Sequence, residues 1–129
     1  MIPLGTPLKE TDATRTAREA YLGLLAAYEE QARTIRLGGG AAALRKQHDK
    51  GKLSARERIA GLVDEGSFFE LGLWAGDQLY PKHGAVPAAG TVMGIGRIQG
   101  RLAMVVANDA TVKAGAWFPI TAILDPGTA

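Results

Sequence analysis

Residues 90–108, GTVMGIGRIQGRLAMVVAN, decide how this chain is built. Two apolar, partly β-branched runs, 91–98 and 101–106, flank Gln99-Gly100 and read as two strands joined in a hairpin. Gln-Gly is weaker turn chemistry than Asn-Gly, so the strands carry most of that reading. Gly90, Gly94 and Gly96 fall at even spacing and leave one strand face bare, which lets another layer approach closely. Upstream, Phe69, Leu71 and Leu73 alternate with Phe68, Glu70, Gly72 and Trp74, a half-buried strand pattern interrupted by one glycine. Phe68, Phe69, Leu71 and Trp74 are expected to carry that strand into the core. Residues 76–89, with Pro81, His83, Gly84 and Pro87, read as a loop.

The period changes in the first half. Ala17, Tyr21, Leu24, Leu25, Tyr28, Ala32 and Ile35 recur at steps of three and four, which predicts an amphipathic helix over 15–36. Thr16 with Glu19 forms a potential capping box, and Asp12 or Thr14 would cap an earlier start. Gly38-Gly39-Gly40 stops the run, because glycine accepts left-handed angles and weakens a helix interior. A short helix is expected over 41–50, closed by Gly51. Ser54 followed by Glu57 is a better-placed capping box opening a helix through about Asp64, with Ile59, Leu62 and Val63 facing inward. Gly66 ends it. The expected organisation is therefore a flexible start (1–14), a basic helical segment (15–66), a sheet-bearing segment (67–121) and a divergent tail (122–129) with a turn at Asp125-Pro126-Gly127.

The chain has 129 residues, seventeen of them glycine and none cysteine, and a net charge of +2. Absence of cysteine excludes disulfides, thiolate metal sites and cysteine nucleophiles. His48 and His83 stand apart without metal-ligand spacing, so no metal site is expected. Neither a secretion signal nor an apolar run of about 20 residues is visible, so the expectation is no membrane and a cytoplasmic location. Charge is uneven: residues 1–60 carry eleven basic and seven acidic side chains, and residues 61–129 four and six. Between Arg33 and Arg58, eight basic groups face only Asp49 and Glu57. Such a stretch is a solvated helical surface, a partner-binding surface, or a grip for the phosphates of a nucleotide-bearing molecule. Nucleic acid is not expected, since no recognition motif or aromatic interleaving accompanies the charge.

The search for catalytic motifs is negative. Gly94-Ile95-Gly96 lacks the third glycine and following helix of a dinucleotide fingerprint, and no Gly-Lys-Ser/Thr follows the triglycine. Ser54 and Ser67 sit in no nucleophile elbow. Asn108, Asp109, Thr111 and Lys113 form the best polar cluster; a ligand-facing role and a turn held by side-chain hydrogen bonds are both open, the turn being the simpler. His48 reads as a polar helix residue.

The segment GGGAAALRKQHDKGKLSARERIAGLVDEGSFFEL, Gly38 to Leu71, resembles the amino-terminal signature of carboxyltransferase (beta) subunits of biotin-dependent acyl-CoA carboxylases. The KGKLSARERI and LVDEGSFFEL wordings are its specific parts. A second block, GTVMGIGRIQGRLAMVVANDATVKAGAWFPIT from Gly90 to Thr121, follows in the same order. Its NDATVKAGAWFPIT is most similar to methylcrotonoyl-CoA carboxylase beta subunits, with geranyl-CoA carboxylases and sodium-pumping decarboxylase subunits as related alternatives. The resemblance spans about residues 15–121.

It implies an α/β fold in which amino-terminal helices precede the first strands of a crotonase-like (ClpP/crotonase) carboxyltransferase domain, here truncated. It implies transfer of CO₂ from carboxybiotin to the enolate of an acyl-CoA such as 3-methylcrotonoyl-CoA, with oxyanions held by paired backbone N–H donors. The implied partners are acyl-CoA, a biotin carboxylase/biotin carrier alpha subunit and other carboxyltransferase subunits; no cofactor is bound covalently. The family's oxyanion-stabilising glycine loops fall beyond residue 129, so no catalytic residue carries over, and the chain alone is expected to be inactive. A non-catalytic assembly module that binds carboxylase subunits is the alternative. Arg56, Arg58 and Lys113 are the expected contacts to acyl-CoA phosphates or pocket. Arg56 and Arg58 could equally satisfy Glu57 or a neighbouring carboxylate.

Overall fold

The computed structural model describes residue 5, residues 9–77 and residues 84–116. The expected tail and its turn, with Pro81 and His83 of the loop and most of the first eight residues, lie outside them. Among the described residues, six α-helices and β-strands follow in order: α1 (Asp12–Arg36), α2 (Ala41–His48), α3 (Ala55–Leu62), β1 (Phe69–Leu71), β2 (Thr91–Ile98) and β3 (Arg101–Asn108). Residues 1–31 form one compact unit and residues 32–129 a second, so the last turn of α1 belongs to the second.

In the first unit, α1 starts three residues earlier than its apolar period suggests. Thr11 and Thr14 cap it reciprocally: Thr14 N–H donates to Thr11 Oγ1 at 3.2 Å, and Thr11 N–H donates to Thr14 Oγ1 at 2.8 Å. This has the form of a capping box with a hydroxyl in place of the usual carboxylate. The Thr16–Glu19 alternative falls inside the helix. Every residue from Asp12 to Glu30 is exposed.

The second unit is a three-stranded antiparallel sheet, order β1-β2-β3, covered on one face by α3. The hairpin is as expected, with Thr91 opposite Asn108 and Ile98 opposite Arg101, and β3 runs two residues further than its apolar run. Gln99 and Gly100 both have positive φ, 50° and 77°, the conformation of a type I′ turn. What makes glutamine acceptable there is Asp64. Its carboxylate accepts from the amides of Gln99 and Gly100 at 2.9 and 2.7 Å, while its own N–H donates to the Arg97 carbonyl.

The glycine-bared face is where α3 packs. A Cβ on Gly94 would stand 2.6 Å from the Phe68 ring, and one on Gly96 would stand 2.9 Å from Val63. Ala55, Ile59, Val92 and Val105 form the core between helix and sheet, with Val63, Phe68 and Ala107 against it. Val92 is 1% exposed.

The strand around residue 70 differs from expectation. It is three residues long, because Gly72 turns at φ 67°. Phe68 and Leu73 point inward, whereas Phe69 is 68% exposed and Trp74 is also exposed. Phe69, Ile95 and Met104 stand in one cross-strand row on the face opposite α3, open alongside Leu102 and Val106. Two smaller clusters complete the unit: Ala32, Ile35, Leu73 and Ala88 in one, Val86, Ala89 and Val112 in the other.

The triglycine does more than stop α1. Gly38 (φ 57°) and Gly40 (φ 88°) are left-handed, but Gly39 is not. Its smallness serves a close approach, since a Cβ there would land on the Thr111 carbonyl oxygen. Gly39 N–H also donates to Thr111 Oγ1 at 2.9 Å. Buried Asp109 accepts from both the amide and the hydroxyl of Thr111, at 2.9 and 2.6 Å. Asp109 is thus the side chain of a turn, one of its two sequence readings.

Candidate functional site

The basic stretch folds around the joint between α2 and α3. No side chain caps α2 at its start, but Arg45, Lys46 and His48 in its last turn suit the negative end of the helix dipole. The helix ends two residues before the expected Lys50, and the chain winds back over that end. Lys50 N–H and Lys52 N–H both donate to the Gln47 carbonyl, at 3.1 and 3.0 Å, and Gly51 N–H donates to the His48 carbonyl at 2.8 Å. Gly51, left-handed at φ 68°, permits the reversal. Helix α3 then opens with the expected capping box. Glu57 N–H donates to Ser54 Oγ at 3.2 Å, and Ser54 N–H donates to Glu57 Oε2 at 2.7 Å. The helix ends at Leu62, before the expected Asp64.

Glu57 also holds His48, with Nε2 to Oε2 at 2.9 Å across the joint. His48 is therefore more than a polar helix residue. Its hydrogen bond, followed by those from Ser54, lowers the Glu57 carboxyl from the usual 4.5 to about 2. A carboxyl depressed in the fold contributes stability that is complete above its ordinary value and is lost as pH falls from about 4.5 toward about 2. Glu57→Gln is therefore expected to melt below the parent at pH 6. The gap should narrow as pH falls below about 4.5 and nearly vanish only near pH 2, and thermal melts across that range check it.

A cleft of about 610 Å³ opens beside this joint. Lys50, Lys52 and Arg58 line it together with Gln47, Leu53, Ala110 and Ala114. A second cleft, about 500 Å³, adjoins it through Leu53 and Arg58 and is lined by Glu57 and by apolar groups from Ile59, Leu62 and Val105–Ala107. Three cations at one end and an apolar trough at the other suit an elongated ligand with phosphates on one end. Among the described residues, no group of three His, Asp or Glu side chains is placed to hold a metal ion.

The three expected contact residues separate. Arg58 lies in both clefts. Lys113 is exposed, begins the turn that carries Ala114 into the cleft wall, and lies near Gly84. Arg56 points elsewhere. Its guanidinium stands 2.6 Å from Glu70 Oε1, and its Nε donates to the Arg36 carbonyl at 3.1 Å. The Arg56–Glu70 contact is a close ion pair that lacks hydrogen-bond alignment, so its attraction is mainly coulombic. Arg36 adds a looser contact to Glu70 at 3.7 Å. Glu70 and Asp64 carried no local signal, since their partners are far along the chain. Lys50 and Lys52 were visible only as members of the charged run.

Residues 46–123 match the carboxyl transferase domain model. The chain belongs to the carboxyl transferase domain family. The matched span contains the α2–α3 joint from Lys46 onward, the whole sheet and the loop carrying Lys113. Among curated relatives of this family, the mitochondrial methylcrotonoyl-CoA carboxylase beta chain of Arabidopsis thaliana is 39% identical over 114 residues, 88% of this chain and 19% of that protein. The solved geranyl-CoA carboxylase beta subunit of P. aeruginosa superposes with a TM-score of 0.73 at 32% identity, over 95% of this chain and 22% of that one. The transcarboxylase 12S structure, a hexamer assembly with methylmalonyl-coenzyme A bound, gives 0.68 at 33%, over 90% and 22%. The chain thus spans about a fifth of the length of these carboxyl transferase proteins, and its helices and sheet are those of a crotonase-like carboxyltransferase domain.

No helix among the described residues is long and apolar enough to cross a membrane.

Proposed function

We propose that this chain supplies the acyl-CoA phosphate grip of a carboxyltransferase (beta) subunit in a biotin-dependent acyl-CoA carboxylase, with 3-methylcrotonoyl-CoA as the substrate type. The observation that carries the reading is the convergence of Lys50, Lys52 and Arg58 on one cleft that continues into an apolar trough. Phosphates would sit among the three cations, and the apolar trough would take the less polar arm. Lys113 would approach the same ligand from the loop that carries Ala114. Arg56 would contribute by anchoring α3 through Glu70 more than by touching ligand. Carboxybiotin would arrive on a biotin carboxylase/biotin carrier alpha subunit, and further carboxyltransferase subunits would complete the catalytic centre in a cytoplasmic assembly. No residue of this chain is assigned to biotin or to the enolate, and the chain by itself is proposed to transfer no carboxyl group.

Calorimetric titration with coenzyme A tests the grip. Lys52→Glu combined with Arg58→Glu should weaken binding at least about tenfold, and Lys113→Ala about twofold, since each lost phosphate contact removes on the order of 1 kcal/mol at an exposed site. Raised salt should weaken the parent in the same direction. Unchanged affinity in the double variant would sink the reading. Decarboxylation or enolate exchange by the isolated chain would overturn the inactivity.

A further inference from the structure

We infer that His48 is a positioning residue for the phosphate grip: its bond to Glu57 is a clasp that holds the loop carrying Lys50 and Lys52 in its binding shape. The role rests on the cleft being that grip. Five of the seven residues lining the cationic cleft, Gln47, Lys50, Lys52, Leu53 and Arg58, belong to a single stretch of chain. His48 and Glu57 stand just inside the two ends of that stretch, one next to Gln47 and the other next to Arg58. Neither lines the cationic cleft, although Glu57 lines the apolar trough beside it. Their bond, Nε2 to Oε2 at 2.9 Å, therefore ties the two ends together without occupying the place of the phosphates.

The clasp matters because the rest of the stretch is tied in two separate halves. The first half hangs on the end of α2, where the amides of Lys50 and Lys52 donate to the Gln47 carbonyl and that of Gly51 to the His48 carbonyl. The second half is the α3 cap. There Ser54 and Glu57 bond each other, and the Arg58 amide donates to the Ser54 carbonyl at 3.0 Å. Among the described residues, the hydrogen bond that joins the halves is that of His48 to Glu57. The chemistry of the pair also places a proton. Glu57 is ionised near neutral pH and can only accept, so Nε2 carries the hydrogen. A lysine on a loop already held in place loses less freedom when it meets a phosphate, and this is how the clasp adds affinity.

Hydrogen exchange and calorimetric titration with coenzyme A, both on the full chain, test this with His48→Ala and His48→Gln. The His48 and Glu57 side chains are 45% and 43% exposed, so either change leaves the core closed. Glutamine offers an amide N–H at about the reach of the imidazole Nε2 and should keep the clasp, whereas alanine has no donor. In His48→Ala the amides of Gly51 and Lys52 should exchange at least about tenfold faster, as a loosened loop opens locally, while those of β2 and β3 stay as in the parent. Coenzyme A should bind at least about threefold more weakly. His48→Gln should restore both. A merely structural role would lower the melting temperature and leave the affinity of the folded variant unchanged. Unaltered exchange in His48→Ala overturns the clasp, and a His48→Gln variant no better than His48→Ala overturns the hydrogen bond as its cause. Faster exchange with parent affinity overturns the positioning role where Lys52→Glu with Arg58→Glu does weaken binding. If that double variant binds coenzyme A as the parent does, the grip itself has failed and the positioning role falls with it.

Discussion

Gly39→Ala is expected to destabilise the second unit by about 3 kcal/mol or more, the range reached when a new atom is forced into fixed structure. The reason is steric and not conformational. Gly39 does not use a left-handed backbone angle, so its φ does not call for glycine. Its new methyl group would instead meet the Thr111 carbonyl oxygen, a main-chain atom that no side-chain rotation can move. That part of the backbone is held in turn by Asp109, whose amide donates to the Gly90 carbonyl and whose carboxylate grips Thr111. Gly51→Ala is the control. Gly51 has φ 68° but nothing within 4 Å of where a Cβ would sit, so it should cost only about 1 kcal/mol of backbone strain. Urea unfolding of the two variants decides it. Equal losses at the two positions would show that the close approach to Thr111 is not what requires glycine.

The second large effect concerns charge. Glu70→Ala is expected to cost about 2 kcal/mol, because it leaves Arg56 and Arg36 facing each other without their shared carboxylate. Breaking a fully buried pair costs more, but Arg36 is 50% exposed and Arg56 25%, so water screens part of the loss. The Glu70 side chain is 13% exposed, so the residual penalty should change little between about 0.1 and about 0.5 M salt. Replacing both Arg56 and Glu70 with leucine should restore most of the stability, since neither partner is then left charged and alone. Denaturant midpoints of the single and double variants provide the check, and a double variant no better than Glu70→Ala would contradict this account of the pair.

Much of the architecture could be read from local patterns. The hairpin was legible because two apolar, partly β-branched runs and a glycine turn lie within nineteen consecutive residues. The α3 cap was legible because Ser54 and Glu57 are three apart. What local patterns could not show was supplied from a distance. The inward side of the β1 region was misjudged because Gly72 ends the strand, and Leu73 reaches a different cluster by way of the turn. The triglycine looked like a helix stop, and its tight joint to Thr111 depends on a residue 72 positions away.

The candidate site shows the same division. Charge density marked the stretch from Arg33 to Arg58, but density does not say which cations converge. Arg56 and Arg58 sit two apart on one helix and therefore point to different sides. One reaches Glu70 and the other the cleft. Lys50 and Lys52 join Arg58 because the chain recoils over the end of α2, a path set by backbone hydrogen bonds to Gln47 and His48.

The Asp64 carboxylate on the hairpin turn also bears on the order in which this unit assembles. A hairpin with a strong turn of its own can zip up alone within microseconds. Here the first turn residue is glutamine, held at φ 50°, and the acceptors that satisfy its amide and that of Gly100 come from 35 and 36 residues upstream. Ser67 adds a bond to the Arg97 amide from the same upstream corner. The hairpin is therefore a poor independent nucleus, because its turn is completed only after a longer loop has closed. Strand pairing and the arrival of the α3–β1 corner become one cooperative event. The registry of the sheet is settled by a side chain outside the strands it aligns.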